Sequence, residues 1–325
     1  MRAVVQRRAG GPEELVVEEV PDPVPGPDQV LIDVEAAGVH LVDTTIRAGG
    51  EWAGGPATFP MTPGREVAGR VSSIGPGVDA SWVGRRVVVH LGMANGGYAS
   101  RAVADTAALF ELPDHVAAID AVAMVGTGRT GVAISDLAAP TADDVVLVTG
   151  AAGGLGAVLL QMAANAGSLT VGVAGRQRKT DALRSLGADV VVDHHDADWP
   201  EQVRAALGER RVTVVLDGVG GPLGRSAFEL IEPGGRMVLF GAASGESMQF
   251  SIDDLYSYGV TLSAAIGARL AVPGAMQAAA GRAVQLLVDG AVQPLVHEPF
   301  ALDDAPDAHR ALEERTAVGK VVLVP

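Results

Sequence analysis

The feature that most constrains this chain is Val145-Val-Leu-Val-Thr-Gly-Ala-Ala-Gly-Gly-Leu-Gly156, followed by an apolar run through Ala166. β-Favouring residues, then a glycine cluster, then a helix-compatible segment predict a strand, a tight turn and a helix that open a βαβ unit. Glycine lets backbone approach a pyrophosphate, and the helix that follows presents unpaired N–H groups and a positive dipole end. The first ligand this implies is a dinucleotide. Against the G-x-G-x-x-G spacing, the three glycine positions hold Ala151, Gly153 and Gly156. A plain strand-to-helix connection is the competing explanation of such a turn.

Similar blocks follow. Strands are expected at Thr170–Val173, Asp189–Val192, Val212–Asp217, Arg236–Gly241 and Thr261–Ala264, with helices near 180–186, 198–207 and 222–231. Strands alternating with helices imply a parallel sheet covered on both faces. The first 120 residues differ. Short β-rich pieces (Ala3–Gln6, Leu15–Val20, Val30–Ala36, Ala68–Ile74, Arg86–His90) are separated by Pro21, Pro23, Pro25-Gly-Pro27 and Gly75-Pro-Gly77, which predicts a mainly antiparallel β domain. Asp114–Ala123 reads as a helix leading out of it. The C-terminal part is expected to hold a helix near 274–289, a strand-like Val292–Phe300, a helix near 304–314 and a closing strand Lys320–Val324. With 325 residues, the chain suits two domains.

The formal charge of −15 opposes general binding to nucleic acid or to anionic membranes, and 4% aromatic content opposes stacking platforms for single strands. Small molecules or a second copy of the chain are the expected partners. Cysteine is absent, which removes disulfides, thiolate metal ligands and a cysteine nucleophile. No signal-peptide pattern or long apolar run is visible, so a cytoplasmic setting is expected. No Tyr-x-x-x-Lys is present: Tyr98 is followed by Ala102, Tyr256 by Val260 and Tyr258 by Leu262.

Ala36-Ala-Gly-Val-His-Leu-Val-Asp43, Pro63-Gly-Arg-Glu-Val-Ala-Gly69, Gly128-Arg-Thr-Gly131, Ala151-Ala-Gly-Gly-Leu-Gly156, Leu186-Gly-Ala-Asp189 and Asp217-Gly-Val-Gly-Gly221 occur in that order. Together they resemble the medium-chain dehydrogenase/reductases, and within them the zinc-free quinone oxidoreductases related to zeta-crystallin. The resemblance covers essentially the whole chain, and alanine at the first glycine position is usual in that branch. It implies an α/β fold: a Rossmann doubly wound parallel sheet inserted into a GroES-like, mainly antiparallel β domain. The expected division is 1–123 with 266–325 for the GroES-like domain and 124–265 for the Rossmann domain. The resemblance also implies a site in the cleft between them and a homodimer formed through the edge of the Rossmann sheet, around Tyr256–Ala264.

By the same resemblance, the zinc-ligand positions of the related alcohol dehydrogenases are His40, Arg65 and Gly126, and the four-cysteine lobe is missing. One ligand beside a permanently charged arginine does not make a zinc site, so no metal is expected. The proton-relaying hydroxyl position holds Val42. What is left is hydride transfer from a nicotinamide to a quinone or an activated enone, with geometry and electrostatics supplied by the protein.

For the cofactor, the resemblance points to the turn Ala152, Gly153, Gly154, Leu155 and Gly156. It also points to Thr130 beside the nicotinamide ribose or phosphate, to Gly218 and Val219 under the dinucleotide, and to Gly241, Ala242 and Ala243 near the nicotinamide. His194 matches a tyrosine at the adenosine end. The acidic residue that would hold the ribose hydroxyls of NAD is replaced by Ala174, and Gly175 is followed by Arg176-Gln-Arg-Lys179, so Arg176 and Lys179 favour the 2′-phosphate of NADPH. A solvated basic turn is the alternative.

On the substrate side, His40 stands where asparagine is usual. It is expected to donate a hydrogen bond or a proton, or else to be tied to backbone. Asp43 is expected to orient His40 or Arg65, or to cap a helix starting at Thr44. Arg65 is expected either to stabilise charge on a reduced oxygen or to pair with Asp43 or Glu66. Trp52, Phe59 and Met61 are candidates for the pocket wall. An NADPH-dependent enoyl-thioester reductase and a non-catalytic NADPH-binding protein stand as alternatives to the quinone or enone oxidoreductase.

Overall fold

The computed structural model describes residues 1–50, 55–265, 267, 272 and 274–325. Trp52 lies outside them. The proline-punctuated N-terminal part forms β1 (Arg2–Val5), β2 (Val16–Glu19), β3 (Gln29–Val39), α1 (Leu41–Arg47), β4 (Glu66–Ile74), β5 (Arg86–His90), β6 (Arg101–Asp105), β7 (Phe110–Glu111) and α2 (Ala118–Val125). Along β3, Val30, Ile32 and Val34 are buried whereas Asp33 and Glu35 are exposed, the period of a strand with one face on a core.

The middle of the chain forms α3 (Thr127–Ala138), β8 (Val145–Thr149), α4 (Gly154–Asn165), β9 (Leu169–Ala174), α5 (Gln177–Ser185), β10 (Val190–Asp193) and α6 (Trp199–Leu207). It continues through β11 (Val212–Asp217), α7 (Gly221–Phe228), β12 (Ile231–Leu239), α8 (Ile252–Tyr258) and β13 (Thr261–Ala264). Among the described residues these strands form a six-stranded sheet in the order β10-β9-β8-β11-β12-β13, every pair parallel. Alternate residues of β8 enter two different cores. Val145 and Leu147 join Trp199, Val203 and Phe228, while Val146 and Val148 join Ile134, Leu159 and Leu160. Burial on both faces is why these strands read as unbroken runs of valine and leucine.

The chain closes with α9 (Ala275–Val288), β14 (Phe300–Ala301), α10 (Ala305–Glu313) and β15 (Val321–Val324). β15 lies antiparallel on β3, with Val321 opposite Val39, so the last residues complete the first sheet. Among the described residues that sheet runs β14-β15-β3-β4-β5-β7, with β6 also on β3. The compact units are Met1–Gly128 with Ala280–Pro325, and Arg129–Ala279.

The fold class expected from the sequence is the one observed; several element bounds are not. α5 begins at Gln177, because Arg176 takes a left-handed φ of 71° that ends the strand and starts the helix at once. α7 stops at Phe228, since Ile231 already pairs with Val212. Val292–Phe300 is not a strand: Pro294 and Pro299 carry no N–H donor, and the segment makes only a bridge from Val296 to Lys320 before β14. β6, β7 and α3 were not anticipated. α3 sits close on α4 because Gly131 has no side chain: a Cβ there would be 2.9 Å from Val158.

Candidate active site

In the Rossmann unit, the order of strands reverses between β8 and β11, and it is outside the carboxyl ends of such strands that a crevice opens. Ala152–Gly156 follow β8, Gly218 and Val219 follow β11, and Gly241–Ala243 follow β12. A single buried carboxylate ties these turns together. Asp217 accepts the Thr149 hydroxyl at 2.5 Å, the Val219 N–H at 3.0 Å and the Gly220 N–H at 3.1 Å, while Gly218 N–H donates to the Thr149 oxygen at 3.1 Å. Ala243 N–H then donates to the Gly218 carbonyl at 3.1 Å, and Ser244 N–H to that of Val219 at 2.9 Å. Gly156 is required for closeness: a Cβ there would be 2.4 Å from the Gly150 carbonyl. Thr130 lies half-buried in the first turn of α3.

At the ends of β9 and β10, Gly175 lies directly against two histidines; a Cβ on it would be 2.4 Å from the His195 ring. His194 and His195 stack with centroids 4.4 Å apart, and burial, reinforced by its neighbour His195, pushes the His194 pKa down. Arg176 N–H donates to Asp193 at 2.9 Å and His195 Nδ1 lies 2.8 Å from the same carboxylate. Burial alone would raise the Asp193 carboxyl, but these donors hold it below its usual range. Sequence reasoning passed over Asp193 and His195. Arg176 and Lys179 stand on either side of the start of α5.

The other unit concentrates its charged groups around β3, β4 and β15. His40 directly follows β3 and is the N-cap of α1; Glu66 opens β4; Lys320 directly precedes β15. Lys320 Nζ lies 2.9 Å from His40 Nε2 and 3.0 Å from Glu66 Oε2, and His40 Nε2 lies 2.7 Å from Glu66 Oε1. Glu66 is wholly buried and the His40 side chain is 25% exposed. Burial opposes the Glu66 charge, yet His40, Lys320 and His90 hold its pKa well below normal; burial lowers that of Lys320 against the pull of Glu66.

Asp43 does not cap a helix starting at Thr44, because α1 begins at Leu41 and places it in the first turn. From there its carboxylate accepts the His40 backbone N–H at 2.8 Å, the Tyr98 hydroxyl at 3.0 Å and Arg65 Nη2 at 3.3 Å. Arg65 therefore has the ion pair with Asp43 that was one of its two expected roles. The chain of contacts continues from Tyr98 to His309 Nε2 at 3.3 Å, and from His309 Nδ1 to Arg47 at 3.3 Å. Phe59 and Met61 lie in the loop before β4, where Met61 exchanges backbone bonds with Gln6. Lys320, Tyr98 and His309 were missed by sequence reasoning. The available signal was a lysine opening an otherwise apolar strand, Lys320-Val-Val-Leu-Val324.

Among the described residues, no group of three or more histidine, cysteine, aspartate or glutamate side chains could hold a metal ion. The donor set does not fit zinc. His40 and Glu66 both touch an ammonium, and Gly126, expected at the third ligand position, has no side chain; a Cβ there would lie 1.5 Å from Glu66 Oε1.

Two family models match: an alcohol dehydrogenase GroES-like domain over residues 26–114 and a zinc-binding dehydrogenase domain over 154–283. Rat quinone oxidoreductase is 30% identical over 329 residues, covering 100% of this chain and 98% of the rat protein. A Burkholderia 2-haloacrylate reductase is 28% identical over 332 residues, covering 100% of this chain and 99% of the relative. The structure of Escherichia coli quinone oxidoreductase complexed with NADPH superposes with a TM-score of 0.87 at 26% identity, covering 100% of both chains. The chain belongs to the medium-chain dehydrogenase/reductases, in their quinone oxidoreductase branch.

Two outcomes follow from this geometry. Burial pushes the His309 pKa from 6.5 down to about 4, so between those values the unfolded chain binds a proton that the folded chain does not. Stability should therefore fall as pH drops through that window, by about 3 kcal/mol in total, and His309→Gln should flatten the curve in denaturant titrations from pH 7 to 4. Asp217→Asn places an amide against N–H donors. It should cost about 1–3 kcal/mol in the same titrations.

Proposed function

We propose that this chain is an NADPH-dependent oxidoreductase that passes hydride to a quinone or an activated enone without a metal. The observation that carries the proposal is the cofactor crevice. Asp217 locks glycine turns into place at the point where the strand order reverses, and the second strand ends in Ala174 followed by a basic turn instead of a carboxylate. Arg176 and Lys179, at the start of α5, would supply the cations for a 2′-phosphate. The relatives named for quinones and for 2-haloacrylate share an acceptor chemistry: each name describes an electrophile polarised by an adjacent carbonyl or carboxyl group.

NADPH, when bound, supplies the hydride. The residues of this chain orient the acceptor and manage the proton. His40, with its side chain at the surface and Glu66 and Lys320 behind it, is the group suited to donate to the acceptor oxygen. Arg65 is buried and committed to Asp43, so its contribution is to fix the start of α1 and hence the His40 backbone. For assembly, we propose a homodimer paired through β13, the edge strand of the parallel sheet, with the exposed Ile252 and Tyr256 of α8 beside it. A free strand edge is a ready template for a second copy.

The test is oxidation of NADPH and NADH in the presence of chelator against a 1,4-quinone, an ortho-quinone, a 2-alkenal and an enoyl-CoA. Quinone or alkenal turnover with NADPH preferred is the expected result. Preference for the enoyl-CoA would instead make the chain an enoyl-thioester reductase, and NADPH binding without turnover would support a non-catalytic role. Arg176→Gly separates cofactor choice from folding. Relief of the left-handed φ should raise stability by about 1 kcal/mol, while loss of the guanidinium should weaken NADPH about tenfold and leave NADH unchanged in equilibrium titrations.

A further inference from the structure

The cation at Lys320 is buried, it lies outside the six motifs quoted above, and it contacts the ring that faces the acceptor in the proposed function. A charged ammonium has donors only. Its approach to His40 Nε2 at 2.9 Å is therefore a hydrogen bond into the lone pair of that nitrogen. Glu66 Oε1 lies 2.7 Å from the same nitrogen but makes no hydrogen bond. The Asp43 amide donates to the His40 carbonyl at 3.0 Å, and the imidazole shares a capping box with that amide without a side-chain hydrogen bond to it. Lysine and glutamate thus ask opposite things of Nε2.

The space for this arrangement is built by two absent side chains. A Cβ on Gly38 would lie 2.2 Å from Glu66 Oε2 and one on Gly126 would lie 1.5 Å from Glu66 Oε1. The other charged or titratable groups acting on the cluster are Asp43 and Arg65, which act on Lys320, and His90 from β5, which acts on Glu66.

We propose that Lys320 is a positioning residue that holds His40 with its proton on Nδ1 and refills Nε2 when that proton leaves. The step balances. The Nδ1–H bond breaks and its proton goes to the acceptor oxygen made anionic by hydride addition; a new Nε2–H bond forms as an Nζ–H bond of Lys320 breaks. Lys320 ends as a neutral amine beside the Glu66 carboxylate, His40 ends neutral with its proton on the other nitrogen, and no electron pair leaves the cluster. Solvent returns the proton through the partly exposed ring after product departs. The tautomer stands on the geometry alone, whereas the refilling step rests on the proposed function.

The experiment uses the full chain with NADPH bound and 15N-labelled histidine, the His40 signal being assigned by its loss in His40→Gln. The parent should show the proton on Nδ1, and Lys320→Met should move it to Nε2, where Glu66 is then the sole partner. Lys320→Arg keeps the charge and the donors but does not release a proton. It should keep the parent tautomer, yet lower kcat about tenfold with KM unchanged. A parent ring protonated on Nε2 would overturn the tautomer, and parent-like turnover by a folded Lys320→Arg would overturn the refilling step. If Lys320→Met does not fold, the parent spectrum and Lys320→Arg still decide. A parent that reduces no acceptor at all refutes the proposed function instead, and the nitrogen spectrum then judges the Lys320–His40 contact alone.

Discussion

The GroES-like unit is organised around one buried negative charge. A carboxylate moved out of water costs several kcal/mol unless it is paired and hydrogen-bonded, and Glu66 has no exposed surface at all. Its compensation comes from two directions, the His40 ring at the end of β3 and the Lys320 ammonium at the start of β15. The position of His40 is thus set by the same interaction that fastens the last strand of the chain onto the first sheet.

The Rossmann unit reaches a comparable result with Asp217. Three protein groups, the Thr149 hydroxyl and the Val219 and Gly220 N–H groups, donate to one carboxylate under the glycine turns, so the turns are held by a fixed acceptor. In both units a buried acidic residue holds flexible backbone in one arrangement. The difference lies in what each leaves outward: N–H groups and bare glycine in one unit, and a partly exposed imidazole in the other. Such frames are pre-organised.

The parallel sheet was legible because both of its faces are buried: β8, β9 and β11 read as valine- and leucine-rich runs, and the glycine clusters between them mark the turns. The antiparallel sheet was legible in outline from alternation in β3 and from its prolines. β7 has two residues, too few to show a period, whereas the alternation of Arg101-Ala-Val-Ala-Asp105 in β6 was present and overlooked. The cofactor turns could be located because glycine and alanine have recognisable spacing. The acid–base cluster could not, since it joins residues far apart in sequence through contacts that leave no local pattern. Lys320 looked like an ordinary strand residue, and Tyr98 and His309 looked like isolated aromatics. Asp43 was recognised as a member of the site, but its helix starts three residues earlier than its sequence suggested, and that shift turns it from a cap into a junction for three donors.

The pairing of β15 with β3 has a bearing on how the chain is made. Glu66 and Lys320 are 254 residues apart, so at ribosomal speed the acid is synthesised roughly 13–50 s before its base exists. Residues 129–279 form a contiguous compact unit and are made whole in that interval, whereas the unit containing Glu66 is incomplete until residues 280–325 have followed. The acid–base cluster therefore forms only after the nucleotide fold has been made, and a chain truncated before Lys320 has that fold without a finished imidazole site.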